Sequence, residues 1–311
     1  MISDLIEKAK GLGFISLGVS RAETPPFFDQ FSKWICAGRH GEMSWLERHM
    51  EIRQHPRRLL EGCNSIISLV YPYTKIKPCT PDGFTIARYS EPKKNDYHRR
   101  LRQMCLALAE SISERYPKTN SRICIDSAPL LERSFAYASG IGFIGKNNSL
   151  IIPGYGSYFF LAEILTTAPL PAYETSPMEN LCGQCKSCIE ACPSGALEAP
   201  FNLDAAKCLS YLTIEHKGPT DRSVAMKMGR CFIGCDICQE VCPYNHVNAQ
   251  AESEEIMLPS TEEILNMDDR QFSDTFGDTA LSRPGLCKIK QNILAIRSLP
   301  SRDPGQEKTI Y

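Results

Sequence analysis

The sequence predicts a mixed α/β (α+β) fold in three parts: an α/β domain over residues 1–175, a cysteine-rich module over 176–250 and a short helical tail over 251–311. Three observations carry that division. Helix-like and strand-like hydrophobic periods alternate through the first part, the pattern of an α/β domain. Pro169, Pro171 and Pro177 then mark a linker. Finally, nine of the 15 cysteines fall between Cys182 and Cys242.

Taken in order, Ser3 can cap a first helix with Leu5, Ile6, Ala9 and Leu12 inward and Gly13 as its stop. Phe14 to Val19 reads as a buried strand. After Pro25 and Pro26, Phe28, Phe31 and Ile35 fall in helical step. Ser65 to Tyr71, between Gly62 and Pro72, is a second strand. Residues 74–95 read as loop. The strongest helix follows, with Tyr97, Leu101, Met104, Leu108 and Ile112 on one face. Arg122 to Ile125 is a third strand, Leu130 to Ser139 a helix, and Ser157 to Thr167 an apolar strand. Beyond an acidic stretch after Ala251, a short helix is expected between Leu281 and Leu294.

A hydrophobic content of 42% with 23% charged residues is that of an ordinary soluble globular chain. Met1 leads straight into Ile-Ser-Asp-Leu, with no basic start and apolar core, so no signal peptide is expected. No run approaches the roughly 20 apolar residues of a membrane helix. The expectation is a cytoplasmic protein without membrane contact, where thiols stay reduced. A net charge of −1 excludes a generally basic nucleic-acid binder but leaves room for a local patch.

Cys182, Cys185, Cys188 and Cys192, followed by Pro193, have the C-x2-C-x2-C-x3-C-P spacing by which thiolates wrap a [4Fe–4S] cube. Three of them grip one cluster and the fourth reaches across to a second. Cys235, Cys238 and Cys242, followed by Pro243, repeat the run, but Phe232 stands where its first cysteine belongs. One cluster is therefore Cys182, Cys185, Cys188 and Cys242. The other is Cys192, Cys235, Cys238 and one more, for which spacing leaves Cys208 and Cys231 open. Zinc also takes C-x2-C pairs, but four ligands suffice for it and this run half repeats. The module is thus read as a two-cluster ferredoxin-like domain. The scattered remaining cysteines read as small core residues.

Gly140-Ile-Gly-Phe-Ile-Gly145-Lys146 matches G-x-G-x-x-G and nearly a P-loop. Both need strand, then glycines, then helix; here the helix precedes and an apolar strand-like run follows, so nucleotide binding is rejected. Asp126 follows a strand, where α/β folds place chemistry, although a turn or cap would also account for it. Between Arg88 and Arg102 lie Arg88, Lys93, Lys94, Arg99, Arg100 and Arg102, with Tyr89, Tyr97 and His98 among them. Such a run can hold phosphates and stack on unpaired bases; a solvated helix face is its commoner meaning.

Asp126, Glu132-Arg133, the Gly140–Asn147 block, Tyr155-Gly-Ser-Tyr158 and Leu161-Ala-Glu-Ile-Leu-Thr166 together resemble the hallmark block of the epoxyqueuosine reductases. Arg53-x-x-Pro56-x-x-Leu59-Leu60, Cys208-Leu-Ser-Tyr-Leu-Thr-Ile-Glu215 and Gly234 to Pro243 fit the same family, so the resemblance spans about residues 1–300. It implies a cobalamin-dependent enzyme that removes the epoxide oxygen of epoxyqueuosine at the tRNA wobble position, leaving queuosine. It implies a fold like that of corrinoid reductive dehalogenases, Cys208 as the missing ligand, and Asp126 as proton donor. Arg53, Lys146, Leu150 and Leu161 match positions lining the corrin. No D-x-H-x-x-G run is present, so cobalamin enters on the resemblance alone. Many members carry a C-terminal helical-repeat extension, whereas this sequence ends at Tyr311; the resemblance thus assigns the chemistry and not the grip on the tRNA.

Opening an epoxide to an alkene needs two electrons and loss of oxygen as water, which no side chain can drive. An external flavodoxin- or ferredoxin-like donor is expected to feed the clusters of a monomer. Asp126 would need a raised pKa to hold its proton. Arg99, Arg100 and Arg102 are the expected phosphate contacts. A plain two-cluster electron carrier would explain the cysteines but leave Asp126 and the glycine block idle. A corrinoid reductase of organohalides is typically exported, against the expected absence of a signal peptide.

Overall fold

The computed structural model describes residues 2–92, 96–171, 177–246 and 256–300. In chain order the first part holds α1 (Ile2–Gly11), β1 (Ser16–Arg21), α2 (Phe28–Cys36), α3 (Met50–Gln54), β2 (Ser65–Pro72) and β3 (Thr85–Ile86). Then come α4 (Tyr97–Arg115), β4 (Ser121–Cys124), α5 (Glu132–Ala138), β5 (Phe143–Ile144), β6 (Leu150–Ile151) and β7 (Phe159–Thr166). The four long strands form one sheet in the order β1-β2-β7-β4, and every pair is antiparallel. The architecture is therefore the α+β variant. A rule for parallel sheets cannot be what places Asp126, although the residue does follow the carboxyl end of β4.

Alternation decides what each face of the sheet packs against. Val19, Ile67, Leu69, Ala162 and Ile164 meet Leu5 and Ala9 of α1 and Leu101, Cys105 and Leu108 of α4. On the opposite face, Ile66 and Leu165 meet Phe135 of α5, and Val70 meets Ala136. Asp96 caps α4 by accepting from the His98 backbone N–H, which fixes the helix start beside the end of β4. The glycine block is a hairpin rather than a nucleotide loop, since β5 pairs with β6. A Cβ on Gly142 would lie 2.4 Å from the Ile151 carbonyl oxygen, so only glycine fits that crossing.

The cysteine module carries α6 (Ser187–Glu190), β8 (Leu197–Ala199), β9 (Asn202–Leu203), α7 (Leu209–Ile214), α8 (Arg222–Met228), β10 (Cys231–Ile233) and α9 (Ile237–Glu240). The tail adds α10 (Thr261–Asn266), α11 (Asp269–Phe276) and α12 (Gly285–Arg297). Leu209, Phe232 and Ile233 share one core with Ile264, Phe272, Ile289 and Ile293. Phe84 and Ile86 join it, and β3 runs parallel to β10. The stretch read as loop over 74–95 thus contains a strand that stitches the two halves together. Its own sequence is too short and proline-broken to announce one. Lys93 and Lys94, the linker residues 172–176 and the acidic stretch to 255 lie outside the described residues.

Candidate active site and metal centres

Asp126 stands two residues beyond β4 with φ +54°, a left-handed conformation uncommon for aspartate. Its side chain is 59% exposed. Tyr97 Oη donates to Asp126 Oδ2 at 3.1 Å, and His98 Nε2 lies 3.5 Å from the same oxygen. His98 Nδ1 in turn contacts Asp96 Oδ1. Tyr97 stacks on Phe160 of β7, with ring centroids 4.1 Å apart, which fixes the phenol in place. From α5, Glu132 Oε1 accepts the Asp126 backbone N–H at 2.6 Å.

The electrostatics correct one expectation. Asp126 does not sit above its ordinary range; its bond from His98 holds it below. Burial lowers the His98 pKa, but the carboxylates of Asp126 and Asp96 outweigh it and hold the imidazole up to about 9. The proton therefore resides on His98 at neutral pH, beside an Asp126 carboxylate. The charge of Arg283, which precedes α12, adds to the depression of Asp126. Tyr97 and His98 stood out from sequence only as members of an aromatic and basic run, Glu132 only as part of the block that resembles the family, and Arg283 not at all. The available signal was Asp96-Tyr97-His98 at a helix start, where a cap aspartate and a histidine two residues on share one turn.

Arg53, on α3, is buried, and its Nε has no hydrogen-bond partner. Its guanidinium lies 5.8 Å from the centroid of the Phe31 ring. Burial lowers its pKa and the charge of Glu132 raises it, which places Arg53 next to the acid centre. Leu150 and Leu161 share one apolar cluster with Val70, Ala136 and Ile141. Lys146 points elsewhere: Nζ donates to the carbonyls of Gly183 and Cys185 at 2.5 and 2.8 Å, clasping the first cysteine loop. Arg99, Arg100 and Arg102 do not form one patch. Arg99 is exposed and pairs with Asp278 at 3.2 Å, and Arg102 is exposed. Arg100 turns inward to Glu91 at 3.4 Å and over the Tyr71 ring.

The eight cysteines converge on one region, where the two runs meet at Cys188 and Cys238. Cys188 feels the charges of Cys182, Cys242 and Cys185. Cys238 feels those of Cys235, Cys208, Cys188 and Cys192. Cys231 is near Cys235 as well, but its Sγ is engaged with the carbonyls of Ile233 and Gly234 at 3.4 and 3.6 Å. Among the described residues no three His, Cys, Asp or Glu side chains converge as a single ion would need. Thiolates on a cube stand further apart than thiolates on one zinc.

A family model described as "Epoxyqueuosine reductase QueG, DUF1730" matches residues 53–127, from Arg53 to just beyond Asp126. A "4Fe-4S double cluster binding domain" matches residues 181–245. An epoxyqueuosine reductase of Leadbetterella byssophila is 33% identical over 299 residues, covering 94% of this chain and 96% of its own. The solved epoxyqueuosine reductase of Bacillus subtilis, with its catalytic aspartate loop swung out of the active site, superposes with a TM-score of 0.83 at 30% identity. It is matched over 95% of this chain and 80% of that one. An epoxyqueuosine reductase solved with an epoxyqueuosine-modified tRNA-Tyr stem loop gives 0.82 and 31%, with the same coverage. The fold and the double-cluster module thus agree along nearly the whole chain, and it belongs to the epoxyqueuosine reductase family.

Proposed function

We propose that this chain reduces epoxyqueuosine to queuosine at the wobble position of a tRNA anticodon, with Asp126 protonating the departing epoxide oxygen. The observation that carries the reading is the Asp96–His98–Asp126 array, with Tyr97 on the same Asp126 oxygen. Loss of oxygen as water consumes two electrons and two protons. Asp126 is a carboxylate at rest, so the proton passes from His98, charged at neutral pH with its pKa of about 9, through Asp126 to the oxygen as the C–O bond breaks, and solvent supplies the second proton that completes the water. Tyr97, pushed up by burial and by Asp126, stays a phenol and orients the carboxylate.

Residues beside this array suit cobalamin. Arg53 is buried with its Nε unpaired, a polar atom in want of a partner. Leu150 and Leu161 offer an apolar wall. Bound there, cobalamin would supply the reducing power that no side chain has. Arg53 would hold it from α3, and the Leu150 cluster would exclude water. Cys182, Cys185, Cys188 and Cys242 would hold one [4Fe–4S] cluster, and Cys192, Cys208, Cys235 and Cys238 the other. A flavodoxin- or ferredoxin-like protein would be the electron source.

The substrate would enter as an unpaired anticodon loop with the modified base splayed toward Asp126. Arg99 and Arg102, facing outward, are the phosphate contacts; replacing both should flatten the salt dependence of stem-loop binding. The central experiment is Asp126→Asn in the reconstituted enzyme. It should keep its iron and corrin absorbance while turnover of a modified stem loop falls by about 10²-fold or more. Full turnover in that variant would remove Asp126 from the mechanism.

A further inference from the structure

Two carboxyls beside the acid centre take no part in the chemistry above. Glu163, in the middle of β7, is fully buried. It stands opposite Ser68 of β2 and Cys124 of β4 in the ladder. Neither Glu163 oxygen has a partner at good hydrogen-bond geometry, and neither does the Ser68 hydroxyl. The polar group that faces it across the gap is Glu132 of α5, the residue whose carboxylate holds the Asp126 backbone N–H. Burial, and then the charge of Asp126, pushes Glu132 up to about 8; burial, and then Glu132, pushes Glu163 well above its ordinary value. The other titratable and charged groups around the pair are Asp126 and Arg133 beside Glu132 and Arg53 from α3. Cys124 on β4 and Cys105 on α4 lie near Glu163.

Two carboxyls in so dry a place cannot both ionise without facing each other as like charges. A proton between them resolves that: Glu163 keeps it and donates to one Glu132 oxygen, leaving the other for the Asp126 N–H. That last bond has strained backbone to hold, because Asp126 sits at positive φ beyond the end of β4.

We propose that Glu132 is the latch fixing the Asp126 loop over the site, and that the proton it shares with Glu163 keeps the latch closed. Both are positioning residues, and the inference rests on the reading of Asp126 as the acid. When the shared proton leaves, the two charges repel, Glu132 swings off the N–H, and the loop is released.

The test is amide exchange of the peptide covering residues 125–131 in the full-length holoenzyme, corrected for the intrinsic pH dependence of exchange, beside single-turnover reduction of a modified stem loop. Glu132→Ala should speed that exchange by about tenfold. It should slow the single turnover by about tenfold with stem-loop affinity unchanged. Glu132→Gln, whose amide oxygen can accept the same N–H, should restore both. In wild type the exchange should stay low through neutral pH and rise only at alkaline pH, as the proton leaves Glu163, which burial and Glu132 hold well above its ordinary value. Glu163→Gln, which donates to Glu132 without a proton to lose, should remove that rise. Wild-type exchange in Glu132→Ala, no rescue by Glu132→Gln, or an unchanged pH rise in Glu163→Gln would each overturn the latch. The expected exchange pattern with unchanged turnover would instead uphold the latch and overturn Asp126 as the acid.

Discussion

Seven of the eight proposed cluster ligands sit on two short turn-and-helix segments, Cys182–Cys192 and Cys235–Cys242, and only Cys208 comes from outside them. The acid centre is assembled the other way. Tyr97 and His98 open α4, Asp126 follows β4, Glu132 opens α5, Arg53 lies on α3, and Arg283 precedes α12. In the first region backbone spacing aims the thiols, so the ligand set survives as long as a few residues hold their turns. In the second, local contacts such as Asp96 on His98 turn single side chains, but it is the antiparallel sheet that brings the groups together. The cysteine module should therefore fail ligand by ligand, and the acid centre by small displacements.

The sharpest way to break this contrast is the one ligand that spacing does not assign. Cys208→Ser should lose a whole cluster, lowering iron from about eight to about four per chain. Cys231→Ser should keep all of it, because that thiol is engaged with the Ile233 and Gly234 carbonyls. The reverse outcome would mean that the second cluster, too, is set by tertiary rearrangement.

For the acid centre the matching test is pH. His98 is held up to about 9 against an ordinary 6.5, so the stabilisation from its carboxylate partners is full below about 6.5 and lost as pH rises through about 9. Single-turnover rate should follow, holding to about pH 9 and falling above it. In His98→Asn, Asp126 loses its proton supply, and the fall should begin at lower pH, with a loss of about 10²-fold at neutrality. An unshifted profile in that variant would take His98 out of the relay.

What could be read from sequence divides along the same line. The cysteine grouping, the strands at Ser65 and Ser157 and the long α4 were legible because each is a period or spacing within one segment. Cys208 was not separable from Cys231 by spacing, since both lie within reach of a loop whose course the turns alone do not state. Asp126 was visible from its place after a strand, where a turn or cap would account for it as well, and its role only through resemblance; its depressed pKa was not visible at all. That depression comes from His98, and no pattern in the chain says that the start of one helix meets the end of a strand formed later. The antiparallel sheet escaped for a related reason, because alternating helices and strands leave strand direction open until the register closes.

The smallest effect is expected where the two regions meet. Arg88 Nη1 lies 3.1 Å from Asp236 Oδ2 and 2.6 Å from Glu240 Oε1. Its Nε donates to the Lys75 carbonyl at 2.8 Å, and its guanidinium covers the Tyr158 ring at 5.0 Å. Asp236 sits between the ligands Cys235 and Cys238 and is only 2% exposed at its side chain, against 15% for Arg88. Removing the arginine side chain leaves the buried Asp236 carboxylate with the backbone N–H of position 88 and the charge of Lys77 but no guanidinium, which costs on the order of 3 kcal/mol. Arg88→Ala should thus lower the denaturant midpoint by that amount, whereas Arg99→Ala should cost under about 1 kcal/mol, its pair with Asp278 being exposed on both sides. The Arg88→Ala/Asp236→Asn double variant should recover part of the loss, since the buried charge that lost its guanidinium is gone while the Tyr158 contact is still missing. If Arg88→Ala unfolds no more easily than Arg99→Ala, the two halves are held by the β3–β10 pairing and shared core alone, and the ion pair is incidental to the joint.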